Sequence, residues 1–205
     1  MKNRVICGVA VLTLCALLSF NANAQKDGWI SLFDGKSFAN WKINEHPETF
    51  SIKDGAIQVF GERAHIFYEG PVKDHNFKNF EFKVTVMTTP GSNSGIFVHS
   101  AFQESGWPKQ GYEIQVNQTH TDWKKTGSVY NLADVKETFV KDNEWYTEQV
   151  NVQGDKVTVL VNGKVINEYT EKDPAKIVTG TFALQGHDPK SKVFYKDIMV
   201  KPLPD

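Results

Sequence analysis

The feature that most constrains this chain is an alternation of period two. Phe80-Glu81-Phe82-Lys83-Val84-Thr85-Val86 places apolar and polar side chains on opposite faces of an extended segment, the pattern of a half-buried strand. Val150 and Val152, then Val157, Val159 and Val161, repeat it around a Gly154-Asp155 turn. Asn162-Gly163 joins Val157–Val161 to Lys164–Tyr169, and Asp54-Gly55 joins Phe50–Lys53 to Ala56–Phe60. Such pairs accept the positive φ angles of a type I′ hairpin turn. A last β-branched and aromatic element, Val193–Val200, ends at Pro202 and Pro204. No long amphipathic helix is expected, only short helical turns at Pro71–Phe77 and Asp173–Ile177. There is no repeat, linker or composition break after residue 25. Many short strands with Gly-rich turns predict one all-β domain over residues 25–205, a sandwich or a barrel.

The N-terminus carries a different signal. Lys2 and Arg4 precede an apolar run from Val5 to Phe20, and Ala22-Asn23-Ala24 supplies the small residues before a cleavage point. This predicts a signal peptide over residues 1–24, cleaved after Ala24, and a periplasmic or secreted product. The run is too short for a confident membrane anchor, which takes roughly 20 residues. Cys15 follows Leu14 and Cys7 follows Ile6, so neither sits behind the small residue a lipoprotein needs. Both cysteines fall within this leader, so the expected mature chain has no disulfide, thiolate nucleophile or Cys metal ligand.

The whole chain has a formal net charge of −1, and losing Lys2 and Arg4 leaves 21 basic against 24 acidic side chains. That balance gives no reason to expect nucleic acid or an anionic membrane as partner. Aromatic residues make up 12%, with all five Trp after the leader. Trp and Tyr bury well and also stack on sugar rings, so a carbohydrate partner is permitted.

Three segments depart from ordinary sandwich sequence: Asn93-Ser94-Gly95-Ile96-Phe97-Val98-His99, Gly111-Tyr112-Glu113-Ile114-Gln115-Val116, and Leu184-Gln185-Gly186-His187-Asp188. Polar side chains recur at alternate positions inside apolar strands. Glu113 and Gln115 therefore share one face, and Gln185 and His187 another. Asn93, Gly95, Phe97 and His99 do likewise, with Ser94 opposite unless a bulge intervenes. Such a face is either solvated surface or the floor of a polar cleft. Phe102–Gln110 and Asn117–Thr126, the most irregular stretches, carry Trp107, His120 and Trp123 and are the first candidates for loops over a site.

Taken in order, Leu32-Phe33-Asp34-Gly35-Lys36 with Trp41, Asn93-Ser94-Gly95, Gly111 to Gln115, Thr126-Gly127 with Tyr130, Asn162-Gly163 and Leu184 to His187 resemble the 3-keto-disaccharide hydrolase domain family. The resemblance runs from about Trp29 to Leu203. It implies a concanavalin A-like jelly-roll β-sandwich of two antiparallel sheets, with a concave face holding the site. It also implies activity on glycosides oxidised at carbon 3. At His99 the chain departs from the Arg that many members carry, exchanging a permanent charge for a group neutral at ordinary pH.

Related jelly-roll glucanases place two or three carboxylates along one strand, because ordinary glycoside hydrolysis takes an acid and a base or nucleophile. Here that strand offers Glu113 alone, followed by the amide Gln115. A 3-keto sugar needs less. Its carbonyl acidifies the hydrogen on carbon 2, so one base can form an enolate and expel the carbon 1 substituent; water addition then completes a net hydrolysis. On this reading His187 or Glu113 is the base, and the other serves the leaving group or orients the base. Asn93, Gln115 and Gln185 hold sugar hydroxyls or the enolate oxygen, and His99 falls on the same face. Trp107, Trp123 and Tyr130 wall the pocket. Lys125 offers positive charge near the enolate, although a lysine beside Lys124 is more often a solvated surface residue. No organic cofactor is implied. A divalent cation held by His99, His120, Glu113 and His187 is an alternative electrophile, while His46, His65 and His75 read as surface or loop residues. The rival to an enzyme is a lectin-like binding module, which would need the aromatics and amides but no poised base.

Overall fold

The computed structural model describes residues 27–205, so the leader expected at 1–24 lies outside the described residues. The strands among them, in chain order, are β1 (Ile30–Ser31), β2 (Trp41–Ile43), β3 (Phe50–Lys53), β4 (Ala56–Phe60), β5 (Ala64–Tyr68), β6 (Phe80–Thr88), β7 (Asn93–Ser100), β8 (Tyr112–Asn117), β9 (Tyr146–Gln153), β10 (Lys156–Val161), β11 (Lys164–Thr170), β12 (Thr181–Gly186) and β13 (Lys192–Pro202). They form two antiparallel sheets. The back sheet runs β11-β10-β9-β6-β13-β4-β3, with β1 also paired to β13, and the front sheet runs β2-β5-β12-β7-β8. This is a jelly-roll β-sandwich.

The expected hairpins form where the turn chemistry placed them. Asp54 and Gly55 take φ 52° and 77°, and Asn162 and Gly163 take 50° and 77°, the double positive φ of type I′. Of the two short helical turns, Pro174–Lys176 is a single 3-10 turn, whereas Val72–His75 is kinked, with Lys73 and Asp74 in the left-handed region.

β6 shows strict alternation of burial, as its sequence requires. Its inward Phe80, Phe82, Val84 and Val86 meet Ile96, Val98, Ile114, Phe182 and Leu184 of the front sheet in one core. Phe182 sits at its centre, with ring centroids 4.6 Å from Phe77 and 4.5 Å from Phe82. Each such fully buried side chain stabilises by about 1.5–3 kcal/mol.

The front sheet is different. All eight residues of β7 and all six of β12 are buried, because loops cover the face that an open sheet would turn to water. That covered outer face positions the site. Its strands bring His65 opposite Gln185, Gly95 opposite Gln115, and Phe97 opposite both Glu113 and Ala183.

Candidate active site

Gly95 is the centre of the arrangement. A Cβ built there would lie 2.6 Å from Glu113 Oε1 and 3.2 Å from Gln185 Nε2. The missing side chain leaves the gap through which Gln185 on β12 reaches across β7 to β8 and donates to Glu113 Oε1 at 2.8 Å. Burial, the larger influence, raises the Glu113 carboxyl to about 7 even though that hydrogen bond favours its charged form. A carboxylic acid so placed holds and releases a proton near neutrality.

Around it lies a cavity of about 370 Å³, floored by Asn93, Phe97, Glu113, Gln115 and Gln185 and walled by Trp107, Pro108, Tyr130 and His187. Asn93 Oδ1, Gln185 Oε1 and both amide atoms of Gln115 are buried there without a hydrogen-bond partner. Buried polar groups are normally paired, and each left unpaired costs about 1–3 kcal/mol. A row of orphaned amides lining one cavity is therefore a ready-made set of contacts for hydroxyl or carbonyl groups.

His187 stands just beyond the end of β12. Its Nδ1 is 2.7 Å from Asp188 Oδ2. Burial opposes ionisation of Asp188, but the hydrogen bonds from His187, Lys190 N–H and Ser191 outweigh it and hold the carboxyl at about 2. An ionised Asp188 keeps the proton on His187 Nδ1, which leaves the Nε2 lone pair as the basic atom. Trp107 and His120 flank the ring, both with centroids 5.5 Å away.

The loops are fixed by few contacts. Glu45 Oε1 accepts the Gly106 N–H at 2.9 Å and pairs with Arg63 at 3.2 Å, while Gln103 Nε2 donates to Trp107 O at 2.8 Å. These hold Trp107 over the cavity although nearly half of its own surface is exposed. On the opposite wall, Tyr130 donates to Asp122 Oδ2 at 3.0 Å.

Seven of the residues singled out in the sequence thus meet at one cavity: Asn93, Trp107, Glu113, Gln115, Tyr130, Gln185 and His187. Three do not. His99 has φ 55° and is turned between the sheets, with its Nε2 2.8 Å from Lys78 O and its ring edge-on to Phe80. The cause is a bulge: Ala183 pairs with Phe97, yet Thr181 pairs with Ser100, so β7 carries one extra residue. Val98 and His99 both point inward, and the alternation that grouped His99 with Phe97 is broken there. Ser94, by contrast, is opposite Gly95 as expected, with its Oγ 2.6 Å from Tyr195 Oη. Trp123 is half exposed and faces another surface with Lys125 and Lys136. Lys125 spends its ammonium inside the loop, donating to His120 O and Asp122 O at 2.9 Å each.

The expected cation quartet of His99, His120, Glu113 and His187 does not assemble. Among the described residues one trio, His120, His187 and Asp188, brings ligand atoms within 4.8 Å of one another. Two imidazoles and a carboxylate suit a divalent transition metal. Two residues escaped the sequence reading. Asp188 was visible as the neighbour of His187. His65 is fully buried, not a surface residue, with edge contacts to Phe97 and Trp107 at 5.3 and 5.6 Å. Burial drives its pKa down to about 3, so the ring is neutral. Its signal was the alternation of His65 and Phe67 along β5.

Fold and site define a lectin-like jelly roll with a polar cleft on the outer face of its smaller sheet. Residues 28–201 match the 3-keto-alpha-glucoside-1,2-lyase-like domain, and the chain belongs to that family. A 3-keto-disaccharide hydrolase of Bacteroides thetaiotaomicron is 28% identical over 179 residues, covering 74% of this chain and 61% of the relative. The chain thus spans about three fifths of that relative's length. A solved structure from Parabacteroides distasonis, described provisionally as a glycosyl hydrolase, superposes with a TM-score of 0.72 at 23% identity, covering 86% of this chain and 94% of that one. A carbohydrate-binding module from Bacillus subtilis gives 0.60 at 13%, over 79% and 95%. The two structures bear on the fold alone.

Proposed function

We propose that this protein cleaves 3-keto-glycosides by proton abstraction at carbon 2 and β-elimination, followed by hydration. The observation that carries the reading is the carboxylate inventory of the cavity. Glu113 is the carboxyl on its floor. Asp188 is engaged by His187 and Ser191, and Asp122 by Tyr130. Ordinary hydrolysis needs a second free carboxyl facing the first, and among the described residues lining the cavity there is none.

His187 Nε2, with Nδ1 tied to Asp188, removes the carbon 2 proton. Electrons pass from that C–H bond into a carbon 1–carbon 2 double bond as the bond from carbon 1 to the leaving oxygen breaks. Glu113 gives its proton to that oxygen. Hydration reverses the roles: water adds at carbon 1 and returns a proton to Glu113, and imidazolium His187 reprotonates carbon 2. The orphaned amides of Asn93, Gln115 and Gln185 are placed to hold the keto or enolate oxygen and ring hydroxyls. A divalent cation held by His120, His187 and Asp188 would supply Lewis acidity in place of the His187 base, not alongside it. The leader supports action outside the cytoplasm, in the periplasm or beyond.

The test is incubation of the mature protein with paired oxidised and unoxidised glucosides, with and without a chelator. Cleavage confined to the 3-keto set, with carbon 2 deuterium slowing the reaction, is the expected result. Cleavage of unoxidised glucosides at a similar rate would overturn it. A binding module, the reading that the fold also accommodates, would give saturable sugar binding and no turnover of either set.

A further inference from the structure

A second cleft of about 310 Å³ opens on the same outer face, on the other side of the loop that joins β7 to β8. Phe67, Phe97 and Ala183 form a buried apolar saddle, capped by Phe102, and it divides the two compartments. We propose that this second cleft is a separate binding site for a neutral pyranose.

Four observations support it. Ser100, 1% exposed, lines the cleft, and its Oγ has no hydrogen-bond partner. The β7 bulge that turns His99 inward returns Ser100 to the outer face, opposite Thr181. A buried hydroxyl without a partner is a cost, removed when a ligand supplies the missing bond. Next, the rim carries the carboxylates of Glu69 and Asp74 and the amide of Asn76, the acceptor-rich set that vicinal sugar hydroxyls satisfy. Third, Phe102 lines the cleft, held by Phe67 at a centroid distance of 5.3 Å and with Lys42 Nζ over one face of its ring, 3.6 Å from the centroid and 3.9 Å from Glu69. That ammonium offsets the Glu69 charge and leaves the Asp74 carboxylate as the acceptor at the rim for a sugar hydroxyl.

The fourth observation is backbone strain. Lys73, Asp74 and His75 have φ of 53°, 50° and 47° in succession, a left-handed turn built without glycine. Such residues are individually unfavourable and gather at ligand clamps. The turn holds Asp74 and His75 at the cleft. A volume of this order lies at the small end of ligand pockets, about 300–1,000 Å³, and fits one ring.

This site does not depend on the keto-sugar reading, and the test separates them. The ¹⁵N-labelled mature protein is titrated with methyl glucoside, methyl galactoside and methyl mannoside, and with glucosamine as the cationic control. Saturable amide shifts at Ser100, Phe102 and Thr181 are expected with at least one neutral sugar, unchanged in a Glu113→Gln/His187→Ala double variant. Asp74→Gly deletes the carboxylate while relaxing the turn, so affinity should fall at least tenfold with melting temperature unchanged or raised. Ser100→Ala should weaken binding likewise. The proposal fails if no neutral sugar shifts these amides, if the shifts vanish in the double variant, if only glucosamine binds, or if Asp74→Gly binds as well as wild type.

Discussion

Gly95→Ala is the sharpest probe of the proposed chemistry, because it adds one methyl group at the point where three strands converge on Glu113. The new Cβ would stand 2.6 Å from Glu113 Oε1, 3.0 Å from its Cγ and 3.2 Å from Gln185 Nε2. Comfortable contact with carbon begins near 3.5 Å, so the carboxyl has to retreat by close to 1 Å and the 2.8 Å bond from Gln185 is lost. A misplacement of ~1 Å in a reacting group costs on the order of 10²-fold in rate, or about 2.7 kcal/mol on the barrier. The fold should bear the change. Overpacking costs about 1–3 kcal/mol, partly offset by the roughly 0.4–1 kcal/mol that Gly→Ala removes from unfolded-chain entropy. For a domain of this size that is a drop of at most about 10 °C in Tm. The assay is steady-state cleavage of a 3-keto-glycoside with a parallel melting curve. A folded Gly95→Ala protein with wild-type kcat would mean that Glu113 does not act from the position described.

Glu113→Gln should lower kcat by about 10²–10⁴-fold on glycosides with alkyl leaving groups and much less on nitrophenyl 3-keto-glucosides, whose leaving oxygen needs no proton; equal losses on both would remove Glu113 from the acid role. Because Glu113 must carry its proton, and burial raises its carboxyl to about 7, kcat/KM for alkyl glycosides should decline as pH rises through that value, and Glu113→Gln should lose this limb of the profile. Asp188→Asn, which unseats the Nδ1 proton of His187, should reduce kcat by about 10–100-fold with little change in KM, checked by steady-state kinetics. Glu148 is fully buried in β9, and burial, opposed only by the nearby Gly127 N–H, holds its pKa well above the ordinary range. Its folded-state pKa exceeds the unfolded value near 4.3, so that contribution to stability is complete below pH ~4.3 and is lost as pH rises toward the folded pKa. Glu148→Gln should therefore gain on wild type by up to about 1.4 kcal/mol per pH unit across that window, measured by urea unfolding at two pH values; a gap independent of pH would refute it. Trp123→Ala, remote from the cavity, should leave kcat/KM within about twofold.

The back sheet was legible in the sequence because one of its faces meets water, so Phe80–Val86 and the Asn162-Gly163 turn carry their geometry in local pattern and turn chemistry. The amide-rich strands of the front sheet were legible for a different reason: their alternation placed Glu113, Gln115, Gln185 and Asn93 outward. What pattern could not supply was what happens to that alternation at an irregularity. Nothing in Phe97-Val98-His99 announces an extra residue, so the pattern alone groups His99 with the site and leaves Ser100 out. The burial of His65 is not visible in local sequence because loops distant along the chain cover β5, and the directions of Trp123 and Lys125 depend on the internal hydrogen bonds of their loop. Asn117 and Lys125 organise that loop through the carbonyls of Asp122 and neighbouring residues, an outcome that residue order alone does not encode.

The bulge in β7 has a consequence for reading other chains of this kind. It acts as a phase slip: the first five residues of the strand address the outer face with odd numbers, and Ser100 addresses it with an even one. A chain lacking that single residue would present the His99 position, not the Ser100 position, to the far compartment, while Asn93, Gly95 and Phe97 kept their places. One insertion or deletion could thus retune the far compartment without disturbing the near one. Position-by-position comparison past Phe97 is meaningful only once the presence of the slip has been established.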